Sequence, residues 1–169
     1  MKLRQSIFLG AAVLAAGFVV ATPASAATTF TSTVINQANG NCATVPGGAS
    51  TSALQLTQST CGAGASQSFT FTPLAGSNDT YSVGTLTSGS CLDIFGASTS
   101  DNATVIQYAC HSGTNQQFRL QPITVPGATN TFNVVAVSSG KCVVPSGDSA
   151  ANNTGLVQLP CSRSLGEIL

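Results

Sequence analysis

The sequence predicts an all-β domain assembled from three copies of one unit. Three observations predict it. Cys42 and Cys61, Cys91 and Cys110, and Cys142 and Cys161 each stand 19 residues apart. Glycine and glutamine recur at fixed offsets from those cysteines. Short β-branched or alternating stretches lie between them, bounded by turn signals.

The cysteine spacing carries the most weight. The first members of the pairs recur at intervals of 49 and 51 residues. Six cysteines allow many pairings, and an even count in an exported chain reads as a disulfide framework. Equal spacing selects the simplest map, one bridge inside each repeat. Each bridge closes a loop that restricts the unfolded chain by about 3 kcal/mol in the entropy model.

Other offsets agree. Gly40, Gly89 and Gly140 stand two residues before the first cysteine, and Gly47, Gly96 and Gly147 five after it. Their recurrence fits turn positions that need unusual backbone angles. Gln58, Gln107 and Gln158 precede the second cysteine by three, Gln67, Gln116 and Glu167 follow it by six, and Phe69, Phe118 and Leu169 by eight.

Strand signals follow the same frame. Phe69 and Phe71 alternate with Thr70 and Thr72, and Tyr81 and Val83 with Ser82 and Gly84. "TFNVVAV" and "ATVIQY" are β-branched and aromatic runs between Gly-containing turns. No stretch after the leader shows a helical period with caps. Three such units suit a closed pseudo-threefold barrel, a small propeller or a solenoid, and three units are few for the last two.

Residues 1–26 read as a secretory signal peptide. Lys2 and Arg4 precede an apolar run from Ile7 to Val20, and Ala24-Ser25-Ala26 supplies a small-residue cleavage site. The run is shorter than the roughly 20 apolar residues of a membrane span. Residues 27–169 are expected as one secreted, extracellular domain, with repeats at about 31–74, 75–123 and 124–169.

Charge narrows the partners. Beyond the leader, Arg119, Lys141 and Arg163 face Asp79, Asp93, Asp101, Asp148 and Glu167. No basic stripe exists to neutralise phosphates, so nucleic acid and anionic membranes are not expected partners. A neutral surface rich in Ser, Thr, Asn, Gln and Gly suits an uncharged ligand.

The stretch "GSCLDIFGASTSDNATVIQYACHSGTNQQF" sharpens the reading. Its Cys-Leu-Asp, its aromatic two residues before the second cysteine, and its Asn-Gln-Gln-Phe resemble a repeat of the ricin B-type lectin family, also known as family 13 carbohydrate-binding modules. Phenylalanine stands where the family usually has tryptophan. The resemblance runs from about Thr31 to the end. It implies a β-trefoil with one shallow sugar pocket available per repeat, and no cofactor or metal.

A neutral sugar needs a fixed acceptor, a flat apolar platform and a group that both donates and accepts. The resemblance assigns these roles to Asp93, Tyr108 and Asn115, with Gln116 supporting them through the aspartate or its neighbours. An ionised carboxylate makes strong charge-assisted bonds to hydroxyls. A tyrosine ring can lie on a sugar's C–H face while its hydroxyl stays wet, and an amide donates and accepts at once. Each residue also has a plain structural reading, as a turn or core group satisfying nearby backbone. Their joint occurrence favours binding. Gln107 has counterparts in repeats that lack the aspartate, which marks it as framework. The same argument gives Gln116 a framework role beside its contribution to the site. Phe69 and Phe118 are assigned to the core.

The constellation occurs once. At the aspartate offset the other repeats carry Thr44 and Val144, at the tyrosine offset Ser59 and Leu159, and at the asparagine offset Ser66 and Gly166. A single pocket in the middle repeat is expected, in a monomer that takes a galactose- or xylose-type mono- or polysaccharide. The third repeat stops at Leu169, where the second continues "RLQPI". The expected trefoil is therefore short of its last strand, either as a truncated product or as an imperfectly closed barrel.

An enzyme is not expected. Glycoside hydrolysis needs two carboxylates held across one bond, and the loop between Asp93 and Asp101 fixes no separation. Ser112, His111 and Asp93 form a triad only on paper, because adjacent side chains in strands point apart. The alternatives to a lectin are a non-catalytic trefoil that binds protein, such as a protease inhibitor, and a degenerate remnant of a glycosidase's binding module.

Overall fold

In the computed structural model, residues 27–162 are described. The first repeat supplies β1 (Phe30–Ser32), β2 (Asn41–Thr44), β3 (Leu54–Gln55), β4 (Thr57–Thr60) and β5 (Phe69–Pro73). The second supplies β6 (Thr80–Thr85), β7 (Cys91–Ile94), β8 (Val105–Tyr108) and β9 (Gln117–Pro122). The third supplies β10 (Phe132–Ala136), β11 (Cys142–Pro145) and β12 (Thr154–Leu159). The leader, the end of the third repeat and the last-strand expectation lie outside the described residues.

Strands β1, β5, β6, β9 and β10 pair in that order, all antiparallel, and curl into the barrel wall. The alternation seen in the sequence places Phe69 and Phe71 on the inner face of β5, and Tyr81, Val83 and Thr85 on that of β6. Each repeat also raises a hairpin: β2 with β4, β7 with β8, and β11 with β12. The hairpins join in a ring. Gln55 pairs with Ile106, Thr104 with Val157, and Gly155 with Thr57. This cyclic order makes the fold a β-trefoil. Equivalent residues meet at its centre, with Leu56, Val105 and Leu156 all buried beside Phe69 and Phe118.

The recurring glutamines tie each hairpin to the turn of the preceding repeat. Gln107 Nε2 donates to the carbonyls of Ala49 and Thr51 at 2.8 and 2.7 Å. Gln158 does the same to Ser98 and Ser100 at 2.9 and 3.0 Å, and Gln58 to Ser149 and Ala151 at 2.5 and 3.3 Å. All three side chains are buried. Their framework role is therefore a set of three equivalent clamps between repeats.

The clamped turns depend on glycine. Gly96 has φ of 64°, and its equivalents Gly47 and Gly147 have 61° and 63°, a left-handed region that costs other residues energy. The bridges are Cys42–Cys61, Cys91–Cys110 and Cys142–Cys161, each with Cα atoms 5.0 Å apart and each closing the open end of its own hairpin. Peptide mapping of the unreduced protein should recover these three pairs. A bridge between repeats would contradict the threefold arrangement.

Candidate functional site

The middle hairpin carries the candidate site. Asp93 lies on β7 directly across from Ile106, and Tyr108 ends β8 across from Cys91. Asn115 and Gln116 sit in the short 3-10 turn Thr114–Gln116 that leads into β9. The Cys91–Cys110 bridge holds the base of the hairpin beside that turn. These four expected residues converge.

Asp93 is the hub. It is only 3 % exposed, and its Oδ2 accepts from Asn115 Nδ2 at 2.9 Å and from Gln116 Nε2 at 2.8 Å. Among the described residues Oδ1 has no partner. A carboxylate with one oxygen locked by donors and the other free is oriented before any ligand arrives. Gln116 is buried beneath it. Its Nε2 also donates to the Ala109 carbonyl at 2.9 Å, and its Oε1 accepts from the His111 N–H at 2.7 Å. Gln116 thus positions the aspartate from within.

The first repeat shows the same frame without the acceptor. Gln67 donates to Thr44 Oγ1 and to the Thr60 carbonyl, and accepts from the Gly62 N–H. In the third repeat the corresponding position is the buried Val144. The glutamine is shared framework, and the carboxylate is the addition peculiar to the second repeat.

Two residues join the site that sequence reasoning did not place there. His111 Nε2 lies 3.3 Å from Asp93 Oδ2, and its Nδ1 accepts the Gly113 N–H at 3.0 Å. That second bond holds the ring with Nε2 facing the carboxylate. Gly113 allows this turn. A Cβ there would come within 2.6 Å of Asn115 Oδ1 and 2.8 Å of the His111 ring. The signal was a glycine between a histidine and an asparagine, which alone does not distinguish a turn from a packing requirement.

Tyr108 is 43 % exposed, with its ring centroid 6.4 Å from that of His111 and nearly perpendicular to it. Together with Asp93, Ile106, His111 and Asn115 it lines an open depression of about 410 Å³ that also reaches Phe95 and its turn. The arrangement offers a carboxylate oxygen, an imidazole, an amide and a flat ring to one shallow volume. Such a mixture suits a small polar ligand with an apolar face.

The geometry does not assemble the catalytic arrangements weighed from the sequence. Both nitrogens of His111 are engaged, one by Asp93 and one by backbone, so neither is directed at a serine. Asp101 pairs with Lys141, which also donates to the Thr99 carbonyl at 2.6 Å. Among the described residues no cluster of three or more His, Cys, Asp or Glu could hold a metal ion, and no helix is long and apolar enough to cross a membrane.

Comparison with known proteins bears on most of the chain. The sequence matches the ricin-type beta-trefoil lectin domain-like family over residues 19–108 and again over residues 65–159. No curated protein matches it significantly. Among solved structures, the designed 3-fold symmetric protein ThreeFoil superposes with a TM-score of 0.74 at 25% identity, covering 82% of this chain and 94% of that one. The exo-beta-1,3-galactanase 1,3Gal43A from Clostridium thermocellum gives 0.73 at 20% identity, with 86% of this chain spanning 30% of the enzyme. The Rhizoctonia solani agglutinin gives 0.70 at 13% identity over 87% and 95% of the two chains. The last two likenesses concern the fold.

Proposed function

The chain belongs to the ricin-type β-trefoil lectin family, and from that premise we propose that it is an exported, non-catalytic carbohydrate-binding module with one sugar pocket, centred on Asp93. The three disulfides support export to an oxidising compartment.

The observation that carries the reading is the state of Asp93. Its Oδ2 is held by Asn115 and Gln116 while Oδ1 has no partner among the described residues and shares its depression with an exposed tyrosine. Oδ1 can accept a sugar hydroxyl, Tyr108 can cover the C–H face, and Asn115 keeps its second N–H and its oxygen for a neighbouring hydroxyl. None of these groups carries positive charge, which favours neutral over anionic sugars, and the family resemblance points to the galactose or xylose type. A single shallow pocket binds on the order of millimolar, about −4 kcal/mol. One such site per monomer gives no avidity.

Retention on lactose- or xylan-bearing resin, released by the free sugar, tests the reading. Tyr108→Ala should reduce affinity by about fivefold through loss of an aromatic contact worth roughly 1 kcal/mol, with an unchanged far-ultraviolet spectrum. Protease inhibition without retention on either resin would overturn the proposal in favour of a protein-binding trefoil.

A further inference from the structure

The depression contains a second aromatic that the polar constellation does not use. Phe95 is 57 % exposed and lines the same volume as Asp93 and Tyr108. Single exposed apolar residues are ordinary, so exposure alone means little. Two further facts distinguish Phe95. At its offset the other repeats carry Pro46 and Ser146, so the aromatic is confined to the repeat that also carries the aspartate and tyrosine. Its backbone is also tightly held. The Phe95 N–H donates to the Thr104 carbonyl at 3.0 Å, its carbonyl accepts from Ser98 at 3.3 Å, and Gln158 grips the carbonyls of Ser98 and Ser100.

Register gives the direction. Asp93 pairs with Ile106, Tyr108 lies two residues to one side of that pair, and Phe95 two residues to the other. Phe95 opens the turn that follows β7, and the three strand steps from the Cys91–Tyr108 pair to the Ile94–Val105 pair just before it already span about 10 Å. That is longer than one sugar ring. His111 lies beside Tyr108, which marks that end as the polar one. We infer that Phe95 is the platform of a second subsite, so that the ligand is an oligosaccharide of at least two units, one against Tyr108 and Asp93 and the next against Phe95. This rests on the sugar-binding reading above. A ring on a fixed turn supplies flat contact area at little conformational cost.

Calorimetric titration with xylose, xylobiose and xylotriose, and with galactose and lactose, tests it. In the matching series the wild-type protein should gain about tenfold in affinity from one unit to two. Phe95→Ala should lose that gain while binding the monosaccharide as before. Phe95→Trp should retain the gain and, as the only tryptophan in the chain, should shift its emission with the disaccharide but not with the monosaccharide. An undiminished gain in Phe95→Ala, or a loss of monosaccharide binding in that variant at unchanged melting temperature, would overturn the second subsite alone. Failure of the wild-type protein to bind any of these sugars would overturn the sugar reading and this inference together.

Discussion

Replacing Gln107 with alanine should destabilise the domain by about 3 kcal/mol, since two carbonyls and the Ser88 hydroxyl lose a buried partner. For a domain of this size that lowers the melting temperature by on the order of 10 °C. Gln107 is fully buried; it donates to Ala49 and Thr51 in the first repeat and accepts from Ser88 Oγ at 3.1 Å in its own. The alanine also leaves a cavity in the ring of hairpins. Gln107→Glu keeps the shape but sets a carboxylate oxygen against two carbonyls, and should destabilise at least as much at neutral pH. Equivalent changes at Gln58 and Gln158 should have similar effects, because the three clamps are related by the threefold arrangement. Thermal melts followed by circular dichroism check this. A melting temperature within 2 °C of wild type, the scale of a ~0.5 kcal/mol change, would show that the clamps do not join the repeats.

Asp93→Asn should reduce sugar affinity by about 100-fold, taking a weak site beyond detection. The charge-assisted bonds Asp93 can make to hydroxyls are worth roughly 1.5–3 kcal/mol each. Asparagine can still offer one oxygen to Asn115 and Gln116, but it turns a donor toward the ligand in place of a charged acceptor. Asp93→Ala should abolish binding too, and should destabilise the fold because it strands the amides of Asn115 and Gln116. The asparagine variant separates the two effects. Thr44→Ala and Val144→Ala, at the corresponding offsets, should bind as wild type does, which isothermal titration would show directly.

The residues differed in how far the sequence disclosed them. Cysteine spacing and glycine offsets were enough to place the bridges and the turns, because both are local and repeat threefold. Gln107 was recognisable as framework from its recurrence. Its partners were not, since Ala49 and Thr51 lie 58 and 56 residues away and become neighbours only when the hairpins join in a ring. Asp93, Tyr108 and Asn115 were singled out by their offsets and by their absence from the other repeats, and Gln116 by its offset alone, which Gln67 shares; the fold brings the four side chains together. His111 was not, because a histidine beside a cysteine gives no sign that its ring folds back over Gly113 toward the carboxylate. Phe95 could have been found by the comparison that singled out Asp93, since Pro46 and Ser146 replace it. Whether an aromatic faces water or core is a tertiary property, and the sequence shows only that it departs from the repeat.

The central claim is that one carboxylate-centred pocket, in the middle repeat only, binds sugar. Titration calorimetry with the disaccharide retained most strongly on resin tests it most directly, run on wild type and Asp93→Asn in parallel. The account predicts one sugar per wild-type chain and no measurable heat of binding for the variant. A stoichiometry of two or three, or undiminished binding by Asp93→Asn, would contradict it.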